Sequence, residues 1–203
     1  MLHPKLIMFT NNRIWNSPLF GKVIRMADYF PTEQIENDLS LVEDRIKNGY
    51  SVIIFPEGTR AEDGVIKRFH KGAFYLAEKL KVDILPIMIH GTNYTLTKQD
   101  QLLKDGQLTV KILPRIKPDD KTYGNGYAER AKGISRYFRA EFEILRAEIE
   151  QPKYFRQQLI YNYLYKGPVL EWYMRIKTRL EKNYQPFNDI VPKQGKILDI
   201  GCG

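Results

Sequence analysis

The sequence predicts an α/β domain with a largely parallel central sheet, followed by a mostly helical C-terminal extension. Three observations carry this reading. Over residues 1–118, aliphatic and β-branched runs alternate with stretches of helical period. Ser51 to Phe55 is a β-branched run of the kind that fills an interior strand. After Pro118 the chain turns polar and glycine-bearing through Gly126, then becomes long, charged and helical.

In chain order, Leu6-Ile7-Met8-Phe9 reads as a short buried strand. Ser17-Pro18 reads as an N-cap followed by proline at the first helical position, starting a helix that runs to about Ala27. Ile35, Leu39, Val42 and Ile46 recur at helical spacing, and Gly49 follows as a stop. The strand from Ser51 is broken by the loop Pro56-Glu57-Gly58-Thr59-Arg60. Lys71 to Leu80 reads as a helix packing Phe74, Ala77 and Leu80, and Ile84 to Ile89 and Leu108 to Leu113 read as strands. Tyr127 to Gln151 reads as one long helix, interrupted by Pro152 and followed by Tyr-rich basic helices to about Asn183, with a second break at Gly167-Pro168. Gln185-Pro186 and Pro192 read as a linker. The expected organisation is residues 1–118 as the α/β domain, 119–192 as helical extension and linker, and 193–203 as the start of something else.

Composition narrows the classes. The chain has 203 residues, 43% of them hydrophobic and 12% aromatic, enough to offset ordering entropy and to exclude global disorder. No apolar run approaches the roughly 20 residues of a spanning helix, and the opening residues lack a signal-peptide pattern. The single cysteine, Cys202, has no internal partner for a disulfide. Lys and Arg number 32 against 24 Asp and Glu, a net charge of +8 that attracts anions in general. Most of these charges alternate in sign along helices, as solvated faces do. Arg60, Lys67, Arg68, His70 and Lys71 instead gather just past a strand-to-loop break.

That break is the candidate site. Open α/β sheets bind ligands at the C-terminal ends of their parallel strands. Gly58 permits positive φ or close backbone approach, Arg60 presents a planar fork suited to phosphate, and Glu57 needs a partner, for which Arg60 or Arg68 is at hand. A plain surface turn with a Glu-Arg pair fits the same residues.

Phe55-Pro56-Glu57-Gly58-Thr59-Arg60, then Phe69-His70-Lys71-Gly72-Ala73, then Ile84-Leu85-Pro86-Ile87-Met88-Ile89-His90-Gly91-Thr92, resemble the 1-acyl-sn-glycerol-3-phosphate acyltransferase family. Asn16-Ser17-Pro18-Leu19-Phe20-Gly21 is similar to the segment that leads into a further acceptor block of that family. The resemblance spans roughly residues 1–118 and implies an acyltransferase of phospholipid synthesis. It implies a lipid phosphate acceptor of lysophosphatidate type held by Glu57, Gly58, Thr59 and Arg60. It further implies acyl-CoA or acyl carrier protein as thioester donor, no cofactor for acyl transfer, and a cytoplasmic place at the inner face of a membrane.

Two departures shape the expectation. Ala27 to Thr32 lacks the arginine with which the upstream acceptor block ends. The family's catalytic Asn-His, with an Asp five residues after the His, has no counterpart: His3 is followed at that spacing by Met8, His70 by Tyr75 and His90 by Thr95. In the family the His takes the proton of the acceptor hydroxyl and the Asp orients it. No catalytic residue is therefore assigned, and the sequence reads as beginning downstream of that signature. His3 reads as a solvated terminal residue, His70 as a candidate anion contact where the family usually carries a basic residue, and His90 as structural. No His/Cys cluster at ligand spacing supports a metal site.

Lys196 to Gly203 reads as a strand entering a glycine turn, and its Asp199, Gly201 and Gly203 resemble the first motif of class I S-adenosylmethionine-dependent methyltransferases. The resemblance implies that cofactor only for a domain beginning there. Two alternative functions remain: a methyltransferase piece with residues 1–190 as an accessory domain, and a basic nucleic-acid-binding module. The second has only charge behind it, and no nucleic-acid signature interleaves with the aromatics. The Tyr-rich basic segment from Tyr154 to Tyr184 adds to the expectation of a membrane surface as partner.

Overall fold

The computed structural model describes residues 5–10, 12–18, 20–27, 29–31, 39–59, 64–95, 104–164 and 166–192. The chain divides into two compact units. One comprises residues 1–59, 67–84 and 115–135, the other residues 60–66, 85–114 and 136–203.

The first unit is built on a parallel sheet of β1 (Leu6–Thr10), β2 (Tyr29–Pro31) and β3 (Ser51–Ile53), with β1 in the middle. Met8 stands opposite Tyr29 on one side and Ile53 on the other. Central placement leaves Ile7 fully buried. Between β1 and β2 lie two short helices, α1 (Asn12–Trp15) and α2 (Gly21–Met26). The single helix expected from Pro18 thus starts three residues later, at Gly21. Ser17 does act at the turn ahead of it, its Oγ accepting from the Phe20 N–H at 3.3 Å.

Helix α3 (Leu39–Lys47) buries Val42; the expected Ile35 lies outside the described residues. It ends as foreseen. Gly49 takes φ +83°, and its N–H and that of Tyr50 donate to the carbonyls of Ile46 and Arg45. Those bonds satisfy carbonyls the helix leaves unpaired. Helix α4 (Gly72–Leu80) buries Phe74 and Leu76, whereas Ala77 and Leu80 are only half-buried. Arg130 closes this unit from below the surface: its guanidinium donates to the carbonyls of Pro118 at 2.6 Å and Lys117 at 2.8 Å.

In the second unit, β4 (Ile87–His90) and β5 (Thr109–Ile112) pair antiparallel, Ile87 opposite Ile112 and Ile89 opposite Val110. Alternation buries Met88 and His90 and leaves Ile87, Ile89, Val110 and Ile112 exposed. The expected strand start at Ile84 is instead a single bridge to Ile116, within the first unit. Thr92–Thr95 forms the short helix α5.

The helical extension is present. Helix α6 covers Tyr127–Ile149, α7 Pro152–Tyr161, α8 Pro168–Leu180 and α9 Tyr184–Ile190. Pro152 and Pro168 open α7 and α8 where their missing N–H costs nothing. Gln185-Pro186, expected as linker, lies inside α9. Pro186 is tolerated there because the first N–H groups of a helix have no intrahelical acceptor. Among the described residues no helix is long and apolar enough to cross a membrane.

Candidate functional site

Strand β3 ends at Ile53, and two residues later the chain enters a tight turn. The Gly58 N–H donates to the Phe55 carbonyl at 3.1 Å, with Pro56 preset at the second position. Gly58 then takes φ +67°. Two bonds fasten this turn to the segment ahead of α4. The His70 N–H donates to the Pro56 carbonyl at 2.7 Å. The Lys67 N–H donates to Oε2 of Glu57 at 2.9 Å. A described partner of the Glu57 carboxylate is therefore a main-chain amide; of the two arginines expected to pair with it, Arg60 lies outside the described residues. With its charge oriented by the backbone, Glu57 holds the loop's two ends together.

The His70 imidazole lies over Gly58. A Cβ on that glycine would come within 3.1 Å of Cδ2 and 3.2 Å of Nε2. Positive φ selects glycine here, and the nearby ring adds a smaller steric term. Around this turn stand the exposed Arg68, His70 and Lys71 and the half-buried Lys67, and α4 begins directly after Lys71 without a side-chain cap. Exposed backbone, a helix N-terminus and several cationic side chains at the end of a parallel strand can hold an anion. Thr59 is exposed beside them. Arg60, the expected phosphate fork, lies outside the described residues, as do His3 and the terminal Asp199, Gly201 and Gly203.

The second unit contains a polar cluster that sequence spacing missed. His90 is 1% exposed, and its Nε2 lies 2.9 Å from Oε1 of Glu150. The Tyr94 hydroxyl donates to the same oxygen at 3.0 Å, and Arg146 reaches both carboxylate oxygens through Nε at 3.2 Å. Burial alone would raise the Glu150 carboxyl above its ordinary value; bonds from Arg146, His90 and Tyr94 outweigh it and hold the group below. Burial and the neighbouring Glu150 charge push the Tyr94 hydroxyl up. The Tyr154 ring packs 5.4 Å from His90, and burial pushes its hydroxyl up to about 12. His90 thus has a carboxylate partner, but it is walled off from solvent and holds β4 to the C-terminal end of α6. Its structural reading stands. Among the described residues no group of three or more His, Cys, Asp or Glu side chains converges as a metal site.

Residues 1–90 match the model of the family described as Acyltransferase. The 1-acyl-sn-glycerol-3-phosphate acyltransferase of Cocos nucifera is 33% identical over 113 residues, covering 53% of this chain and 36% of that protein. The beta form of the same enzyme from Homo sapiens is 34% identical over 76 residues, covering 37% of this chain and 27% of its own. The crystal structure of the 1-acyl-sn-glycerophosphate (LPA) acyltransferase PlsC from Thermotoga maritima superposes with a TM-score of 0.58 at 25% identity, covering 70% of this chain and 58% of that one. The chain spans only 36% to 41% of the length of the first three curated relatives it matches. Residues 1–90 therefore match an acyltransferase domain, and the enzymes that the chain resembles in sequence and fold are 1-acyl-sn-glycerol-3-phosphate acyltransferases.

Proposed function

We propose that this protein serves acyl transfer in glycerolipid synthesis, with a lysophosphatidate-like acceptor and acyl-CoA or acyl carrier protein as donor. The observation that supports this is the Phe55 to Thr59 turn: Gly58 at φ +67° under His70, pinned by Glu57 to Lys67, at the end of a parallel strand in cationic surroundings. The acceptor phosphate is assigned to the Gly58 and Thr59 backbone and, by the sequence motif, to the charge of Arg60. In the reaction the acceptor oxygen bonds to the acyl carbon, the thioester carbon–sulfur bond breaks, and the hydroxyl proton passes to a base. His90 is too deeply buried for that role. The base belongs to a His-x4-Asp pair, which is absent from residues 1–203. The lipid acceptor places the protein at the inner, cytoplasmic face of a membrane. A separate reading concerns residues 193–203. Their Asp199-x-Gly201-x-Gly203 motif supports an S-adenosylmethionine site, tested by photo-crosslinking that cofactor to the protein bearing this segment.

Equilibrium binding of lysophosphatidate below its micelle threshold tests the acceptor site. A charge-assisted hydrogen bond contributes about 1.5–3 kcal/mol, so Arg60→Ala should weaken binding by roughly 10-fold or more. Lysophosphatidate affinity equal to that of an uncharged monoacylglycerol, or unaffected by Arg60→Ala, would sink the assignment. Thioester release should rise by about 10²–10⁴ when a segment bearing the His-x4-Asp pair is supplied. Robust release without it would overturn the placement of the base.

A further inference from the structure

Helix α8 has two unlike faces. Its inner face meets α7 through Met174, 8% exposed, and Thr178. Thr178 Oγ1 accepts from Arg156 Nε at 3.2 Å and donates to the Met174 carbonyl at 2.7 Å. Arg156 also donates to the Arg175 carbonyl, at 3.4 Å. At about 100° per residue, Val169, Trp172, Tyr173, Ile176 and Leu180 form a stripe on the opposite side. Val169 is 77% exposed, Trp172 65%, Tyr173 52% and Leu180 74%. Such a stripe is not the scatter of single apolar residues that ordinary surfaces show.

The edges of the stripe are basic. Arg179 lies along one edge by helical position, beside Arg175, whose guanidinium is paired with Glu171 at 2.7–2.8 Å, and Lys177 lies along the other, its Nζ 5.9 Å from the Tyr173 ring centre. We infer that this stripe of α8 seats in the interface of an anionic lipid bilayer. The helix has 13 residues, about 20 Å, too short to span and suited to lying in the membrane plane. Trp and Tyr favour the headgroup level, and Lys and Arg at the edges meet anionic lipid. A second copy fits less well. A two-fold self-contact along the stripe would bring like-charged edges together. The inference deepens the membrane-surface part of the proposed function and rests on that part alone. Vesicle binding reads it without acyl transfer, so its failure leaves the acceptor site standing.

The test is co-sedimentation of the full chain with vesicles of phosphatidylcholine alone and of phosphatidylcholine with about one third phosphatidylglycerol. Binding is expected to the anionic vesicles. Each basic residue near an anionic surface contributes about fivefold, so Lys177→Gln with Arg179→Gln should weaken partitioning roughly 25-fold. Val169→Asp with Leu180→Asp, at well-exposed positions, should abolish binding with an unchanged circular dichroism spectrum. Brominated lipid should quench tryptophan fluorescence in the parent chain and in Trp15→Phe, but not in Trp172→Phe. Unchanged binding in the paired Asp variants, or quenching that persists in Trp172→Phe, would overturn the proposal. So would a concentration-dependent dimer dissolved by the same Asp variants, which would assign the stripe to a second copy.

Discussion

His90 and Glu150, 60 residues apart in sequence, share a 2.9 Å contact between Nε2 and Oε1. An ionised carboxylate only accepts, so Nε2 carries the proton and donates it. Nδ1 is buried with no hydrogen-bond partner among the described residues. The carboxylate is thus the described partner of a wholly enclosed ring, and it also gathers Tyr94 and Arg146. Glu150→Ala would orphan the imidazole. Leaving a buried polar group unsatisfied costs about 1–3 kcal/mol. Urea unfolding should show a loss of that size, and Glu150→Gln, which can still accept from His90, should lose less.

Acid should loosen the same cluster. The Glu150 carboxyl is held below its ordinary value of 4.5, burial being outweighed by bonds from Arg146, His90 and Tyr94. A depressed folded-state value means that the unfolded chain binds the proton first. The contribution is fully present above pH 4.5 and is lost as pH falls from there through the depressed value. Unfolding midpoints measured from pH 6 down to 3 should drop less steeply in Glu150→Gln than in the parent. Parallel curves would show that Glu150 is not the titrating group.

Alkali acts through Tyr154 with the opposite sign. Its hydroxyl donates to the Gln107 carbonyl at 3.2 Å, and burial, reinforced by Tyr94 and Glu150, pushes it from 10 up to about 12. A raised folded-state value gives stability that is complete below pH 10 and fades as pH climbs through about 12. Difference absorbance near 295 nm should therefore show a late-titrating tyrosine component that shrinks by one residue in Tyr154→Phe. That variant should also lose less stability than the parent between pH 10 and 12.

Local chemistry made the Gly49 stop legible, because a helix that ends on positive φ selects glycine whatever surrounds it. The Ser51 strand was legible as a strand because a β-branched run has few other uses, but its interior place was not borne out: among the described residues β3 stops at Ile53 and lies half-buried at the edge of its sheet, since β1 takes the middle. Strand β2 was not. Three residues ending in Pro31 carry no period, and only pairing along β1 makes them a strand. In α4 the expected Ala77 and Leu80 gave way to Leu76, since which flank of an apolar face is buried depends on neighbours rather than period. The site divides the same way. The turn and its glycine could be read from residue types, but the bond from the Lys67 amide to Glu57 is invisible to pairing by side-chain charge. The His90–Glu150 pair joins β4 to the end of α6, so no local spacing reports it.

Gly58 offers the sharpest test of the turn. Its φ of +67° would cost an L-residue about 1–2 kcal/mol. The His70 ring adds a separate steric objection, with a Cβ at 3.1–3.2 Å from two ring atoms. That neighbour is an exposed side chain able to swing away, whereas the backbone is held by the bonds from His70 N–H to Pro56 and from Lys67 N–H to Glu57. Gly58→Ala should therefore lower unfolding free energy by about 1–2 kcal/mol, set by the dihedral angle. His70→Ala on that background should recover only the steric part, a few tenths of a kcal/mol. Gly58→Asn should be milder than Gly58→Ala, because Asn visits the left-handed region more readily. If the double variant returned to parental stability, the ring and not the backbone would be what selects glycine here.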